Sequence, residues 1–192
     1  VGRLAFELAK TAGSVDGIDF TARHIQHCLD LKEQGQIRYA MTTQGEIFDF
    51  HEVTLGNLGF VDAPENLHFA QGDGHNLKLQ FNDYDVAICH RVIEYSYHPQ
   101  VLLQQLCQRV KAGGLVILGS SYAWDVSITD VQHWIGGFKR NGENLSSEAH
   151  LSEIMSTEFD LVKETEIVSK LELDQRTSQT ANNHITIWRK RV

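Results

Sequence analysis

The sequence predicts an α/β protein, an open, doubly wound sheet that finishes with a late antiparallel strand pair. Short apolar runs alternate with helical patterns as far as Gly119, and glycine- or acid-bearing turns follow several of those runs. Two strand-like segments, Phe159 to Val168 and Ile185 to Arg189, then close the chain with no helix between them. The 192 residues, 42% hydrophobic and 22% charged with 15 Gly and 2 Pro, can bury one domain-sized core and exclude collagen-like, low-complexity and disordered chains. One domain over 1–192 is expected, without internal repeat or linker.

Leu4, Ala5, Leu8 and Ala9 recur at helical spacing after Gly2, and Gly13 supplies a stop. Val15 to Phe20 has the length and β-branched character of a strand that ends in Asp19. Thr21 is placed to cap a helix striped by Ile25, Cys28, Leu29 and Leu31 and ended by Gly35. Ile37 to Thr42 and Glu46 to Val53 flank Thr43-Gln44-Gly45 as a hairpin, an insertion over about 36–64. Leu67 to Ala70 reads as the next strand, and Tyr84 to Cys89 as a buried parallel one. Pro99 opens a helix with Val101, Leu102, Leu103, Leu106 and Val110 on its apolar side. Lys111-Ala112-Gly113-Gly114 ends that helix before a strand from Leu115 to Gly119; an aromatic loop over Ser120 to Phe138 and a polar helix near Ser147 to Met155 follow. Gly2 reads as the end of a glycine loop whose start, with the sheet's first strand, would precede Val1, so the chain is expected to be incomplete at its N-terminus.

Seventeen Lys and Arg against 25 Asp and Glu give a net charge of -8, which repels a phosphate backbone and argues against nucleic acid. Apolar runs four residues long argue against a membrane span. Cys28, Cys89 and Cys107 are odd in number and far apart, fitting a reducing cytoplasm better than a disulfide framework. His24, His27 and Cys28 share a helix face but lack a fourth ligand, and no metal site is expected. No H-E-x-x-H, G-x-S-x-G or complete P-loop is present. Arg189-Lys190-Arg191 reads as a solvated strand edge.

In open α/β sheets ligands sit beyond the carboxyl ends of strands, where glycine loops admit backbone N–H groups and acids receive ribose hydroxyls. Gly2, Asp19 and the Gly72-Asp73-Gly74 turn fall at such strand ends. Each acid alone is equally well read as a cap or turn residue.

The combination resembles the class I S-adenosylmethionine-dependent methyltransferases over nearly the whole chain, Val1 to Arg191. The resemblance implies S-adenosylmethionine as cofactor, with Gly2 beside its methionine part, Asp19 gripping the ribose, Asp73 with Gly74 at the adenine edge, and Phe20, Gly72 and His90 as further cofactor-binding residues. That family's first strand would precede Val1, and its loss would leave two neighbouring strands unpaired. A narrower resemblance rests on VGRLAFELA, VDGIDFTARHI, QGDGHNLK, SSYAWDVSIT and WIGGFK. These runs are similar to the 4-mercaptohistidine N1-methyltransferase family of ovothiol biosynthesis, often fused behind an iron-dependent sulfoxide synthase. The chain departs from that family at Ser121, where a Pro is expected, near Arg91 and Glu94-Tyr95, and at Leu171 to Leu173.

The implied reaction is methylation of the imidazole ring of 4-mercaptohistidine, also called 5-thiohistidine. A protonated ring nitrogen needs a base, and Glu94, His90 and His98 follow the fourth strand, with Glu94 and His98 the catalytic candidates. Their bland readings are a solvated first-turn acid and a loop histidine before Pro99. Tyr122, Trp124 and Trp134 could wall the substrate or pack on one another. Arg176 could pair with a substrate carboxylate or lie on the surface. A class I methyltransferase for another small metabolite, a non-catalytic module keeping the fold, and a nicotinamide enzyme using Asp19 for its ribose stay open.

Overall fold

The computed structural model describes residues 2–192; Val1, first residue of the VGRLAFELA run, lies outside them. The chain forms two compact units, Val1–Gly74 with Leu171–Gln179, and His75–Lys170 with Thr180–Val192.

In the first unit, strands β1 (Val15–Asp19) and β4 (Leu67–Gln71) pair in parallel from Val15 opposite Leu67 to Asp19 opposite Gln71. Helices α1 (Arg3–Ala9) and α2 (Ala22–Gln34) bring Phe6, Ala9 and Leu31 to a core shared with Val15, Leu55, Leu58 and Leu67. Burying each such aliphatic side chain is worth about 1.5–3 kcal/mol against exposure. α1 stops at Ala9, short of the expected Gly13. Thr21 does precede α2, but its side chain caps nothing; Asp19 Oδ1 instead accepts the Thr21 N–H at 2.7 Å. Gly35 ends α2 at a φ of 78°, the left-handed conformation glycine adopts without strain. The expected hairpin is β2 (Gln36–Gln44) and β3 (Ile47–Thr54), turning at Gly45.

The second unit carries a four-stranded sheet in the order β5-β6-β10-β9, with β5 Tyr84–His90, β6 Val110–Ser120, β9 Phe159–Glu172 and β10 Ser178–Lys190. β5 runs parallel to β6, and β10 antiparallel to it with Ile185 opposite Gly119. The five-residue connection from β9 to β10 can only join antiparallel neighbours, as expected of the late pair. Helices α3 (Pro99–Gln108) and α4 (Ser147–Met155) cover a core of Leu102, Leu103, Val116, Leu118, Leu151, Met155, Phe159 and Trp188.

Three expectations are corrected here. Val110 opens β6 rather than closing the helix, and Lys111 to Gly114 lie inside that strand, where the pairing register shifts between Tyr84 and Val86. Gly114 has no room for a Cβ, which would lie 2.6 Å from Val110 Cγ1 and 3.0 Å from Asp85 O. β5 is apolar yet half-exposed, with Val86 43% accessible, because among the described residues it pairs with β6 alone; β1 likewise pairs only with β4. The segment after the aromatic loop holds a further hairpin, β7 (Phe138–Arg140) and β8 (Glu143–Leu145), turned by Asn141 and Gly142 at positive φ. No described helix is long and apolar enough to cross a membrane.

Candidate functional site

Parallel pairing sends β1 and β4 out of the same end of their sheet, so Asp19 and the Gly72-Asp73-Gly74 turn leave side by side. The Gly72 N–H donates to Asp19 O at 3.0 Å, and Gln71 Nε2 donates to Phe20 O at 3.1 Å, tying the two strand ends together. Asp19 is half-exposed and accepts from Thr21 N–H, with His24 Nδ1 3.4 Å from its other oxygen. Each carboxylate oxygen keeps a lone pair for an incoming hydroxyl. Phe20 beside it is 70% exposed, a flat apolar face open to a ring. Gly2, at a φ of 70°, lies over Cys28: a Cβ there would come within 2.7 Å of the sulfur. A glycine with no room for a side chain and an acid beside a second glycine turn fit a nucleoside cofactor in this unit.

The second unit repeats this geometry at the carboxyl ends of β5 and β6. His90 ends β5, and a Cβ on Gly119 would collide with its Nδ1, so the glycine makes room for the imidazole. Burial holds the His90 imidazole below its usual pKa, and neighbouring Arg91 adds to this while Glu94 opposes it. Arg91 directly after β5 and Tyr122 two residues after β6 both take positive φ, 52° and 53°. Left-handed backbone at a large residue is strained and gathers at functional sites.

Glu94, on the 3-10 turn Ile93–Tyr95, is 1% exposed. One oxygen accepts from Ser120 Oγ at 3.0 Å, and the other from Ser121 N–H and Ser121 Oγ, both at 3.2 Å. The carboxylate binds the β5 end to the β6 end, and the solvated reading of Glu94 is thereby excluded. His98 precedes α3 and packs on His133 with ring centres 4.1 Å apart and planes tilted by 32°. Its Nδ1 is buried without a protein partner. His75 Nε2 lies 2.6 Å from Ser96 Oγ, which also accepts the His98 N–H.

The aromatic loop is built rather than loose. Trp124 and Trp134 lie near parallel, 6.2 Å between centres and 17° between planes. Each indole N–H is taken by the protein, Trp124 Nε1 by Ser147 Oγ and Trp134 Nε1 by Thr129 O, both at 2.9 Å. Thr129 is fully buried and donates to Ser96 O at 2.5 Å. Gly136 and Gly137 turn the chain at positive φ; a Cβ on Gly136 would collide with Ser146 O, and one on Gly137 would lie 3.1 Å from the Trp124 ring. Tyr122 Oη lies 2.9 Å from His184 Nδ1, and His184 Nε2 lies 3.5 Å from Glu164 Oε2.

Tyr122, Trp124, Trp134, His90, Glu94 and His98 thus belong to one unit, while Gly2, Asp19, Phe20 and Gly72 to Gly74 belong to the other. Arg176 stands with the latter, in the exposed turn after β9, where its N–H donates to Asp174. Sequence reasoning missed His184, Glu164, Ser120 and Ser121. Only the β6–β10 register, which sets His184 opposite Ser120, could have revealed the first.

A family model described as "Methyltransferase domain" matches residues 1–118. No curated protein matches the sequence. Among solved structures, the fold is similar to a SAM-dependent methyltransferase from Methanosarcina mazei, at 17% identity and a TM-score of 0.61 over 98% of this chain and 87% of that one. It is also similar to the YcgJ protein of Bacillus subtilis, at 12% identity and a TM-score of 0.62 over 100% and 88%. A third is the N-methyltransferase NodS of Bradyrhizobium japonicum in complex with S-adenosyl-L-homocysteine, at 12% identity and a TM-score of 0.58 over 98% and 72%.

Proposed function

The chain belongs to the methyltransferase domain family, and from that premise we propose that it transfers the methyl group of S-adenosylmethionine to a ring nitrogen of 4-mercaptohistidine. When bound, the cofactor supplies a methyl group already activated on a sulfonium. The protein must then hold it, align the acceptor and keep water out. In this reading Asp19 receives the ribose hydroxyls, Phe20 lies on the adenine, Gly72, Asp73 and Gly74 border its edge, and Gly2 lets the methionine part approach the backbone. His90 is the remaining cofactor-binding candidate.

The observation that carries the substrate class is the fixed pair of indoles. Trp124 and Trp134 have both N–H groups satisfied internally, so what they offer is flat apolar surface at a set angle. Such faces suit a planar azole and attract a sulfonium charge by about 0.5–2 kcal/mol, more as water is excluded. Arg176 is the candidate partner for the amino-acid carboxylate. The thiolated acceptor has to come from a reaction that places sulfur on histidine, the work of an iron-dependent sulfoxide synthase fused to or associated with this chain. Three free cysteines, two of them buried, fit a reducing cytoplasm.

Methyl transfer from labelled S-adenosylmethionine to 5-thiohistidine tests the proposal, run beside a panel of small azoles, amines and thiols. Methylated thiohistidine is expected. Transfer to another acceptor alone would overturn the substrate and leave a methyltransferase for a different small metabolite.

A further inference from the structure

We propose that Tyr122, His184 and Glu164 form a proton relay that removes the ring proton of the methyl acceptor, with Tyr122 meeting the acceptor and His184 and Glu164 positioning and backing it. The proposal rests on the reading above, in which the acceptor is an azole carrying N–H.

The three groups come from three neighbouring strands. Tyr122 lies just past the carboxyl end of β6, where ligands of parallel strands bind. β10 sets His184 opposite Ser120, two residues before Tyr122, and β9 is the next strand out. Tyr122 Oη is 2.9 Å from His184 Nδ1, and His184 Nε2 is 3.5 Å from Glu164 Oε2. In this relay Nε2 carries the proton toward the carboxylate, which can only accept, and Nδ1 accepts from the phenol. The phenol oxygen keeps its lone pairs for a third partner.

The backbone holds this phenol in place. Tyr122 N–H donates to Ser120 Oγ at 2.9 Å, and Tyr122 O accepts from Trp124 N–H at 2.9 Å, fixing the residue at its strained φ of 53°. The rival base is engaged: both oxygens of Glu94 already accept from Ser120 and Ser121.

The groups facing Tyr122 determine how it can act. They are Glu148 from α4, Glu166 and Glu164 from β9, and Glu94 from the turn after β5. Burial first, and these carboxylates after it, push the phenol above its ordinary pKa. A standing phenolate is therefore disfavoured, and Tyr122 can pass a proton only by giving one up as it takes one. The ring nitrogen forms its bond to the methyl carbon as the sulfonium S–CH3 bond breaks, and the S–C electron pair stays on sulfur. The N–H proton goes to Tyr122 Oη, whose own proton goes to His184 Nδ1. The resulting imidazolium lies 3.5 Å from a Glu164 oxygen and returns its proton to solvent.

The test combines kinetics with a readout on the resting protein. Full-length Tyr122→Phe is expected to lose about 10²- to 10⁴-fold in kcat toward 5-thiohistidine, the usual share of general acid–base catalysis, with KM and S-adenosylhomocysteine affinity nearly unchanged. His184→Ala should lose kcat by a similar factor and regain turnover with added imidazole. Glu164 is 62% exposed, so Glu164→Gln should lose no more than about 5-fold. Nitrogen-15 NMR of wild-type His184 should show the neutral Nε2–H tautomer with Nδ1 accepting, altered in Tyr122→Phe. Wild-type kcat in Tyr122→Phe, or an Nδ1–H tautomer at His184, overturns the relay. Absence of thiohistidine methylation by the wild type overturns the substrate reading instead, and the tautomer, read without substrate, still decides the relay.

Discussion

A carboxylate that is 1% exposed survives in a fold only when both oxygens are met, and Glu94 meets three donors from two consecutive serines. Removing it strands Ser120 Oγ and the Ser121 N–H in a buried corner. Glu94→Ala is expected to lower unfolding free energy by about 3 kcal/mol, read from urea denaturation, because breaking a buried charged network costs about 3–5 kcal/mol less what relaxation recovers. If Glu94 were instead a mobile base, the variant would lose turnover at unchanged stability. Asp19 presents the opposite case, half-exposed with lone pairs to spare. Asp19→Ala should weaken S-adenosylhomocysteine binding by about 10- to 100-fold in calorimetry, the worth of hydrogen bonds to a charged acceptor, with little loss of stability.

At the scale of elements, strand and helix existence was legible in periodicity, and the misreadings share a cause in pairing. Tyr84 to Cys89 looked buried because all but Asp85 of it is apolar, yet one of its edges has no neighbour among the described residues. Lys111 to Gly114 looked like a helix stop because two glycines end in a valine-leucine run, but they bend β6 where its register with β5 slips. The β7–β8 hairpin, absent from the expected elements, has its sequence signal in Asn141-Gly142, a dipeptide that tolerates two consecutive positive φ values. Of the site, Asp19, the glycine turn and the aromatics were legible as residue types at strand ends. His184 and Glu164 were not, since Tyr122 and His184 stand 62 residues apart and meet only through sheet register. Glycine 136 gives the loop its sharpest test. A Cβ there would collide with Ser146 O and lie 2.6 Å from Ser147 Cα, at a φ of 74°. Gly136→Ala should destabilise by about 2–4 kcal/mol, combining left-handed strain with overpacking, and should change tryptophan fluorescence as the Trp124–Trp134 pair is displaced.

For the molecule as a whole, pH sets a limit on the alkaline side. Burial first, then Glu94 for Cys89 and Glu158 for Cys107, pushes both thiols up to about 12 from an ordinary 9.0. An unfolded chain gives up these protons from about pH 9 while the folded one holds them, so stability is whole below pH 9 and falls toward pH 12. The slope reaches about 1.4 kcal/mol per pH unit for each thiol. Chemical denaturation from pH 8 to 11 should show it, and replacing both cysteines by alanine should flatten the decline. Charge also guards the outermost strand. β9 is exposed along most of its length, with Leu161, Val162, Ile167 and Val168 open, but Asp160, Lys163, Glu164, Glu166 and Lys170 interrupt them. Charged residues on a free edge discourage edge-to-edge aggregation.

The path of the backbone through the two compact units carries one more consequence. The polypeptide leaves the first after Gly74, re-enters it at Leu171 and departs again after Gln179. A gene cut once between codons 74 and 75 would therefore deliver an N-terminal fragment short of a piece of its own unit, Leu171–Gln179, whose Gln175 N–H donates to Thr42 O. Anyone wishing to exchange or evolve one half alone would have to graft the β9–β10 tip along with it.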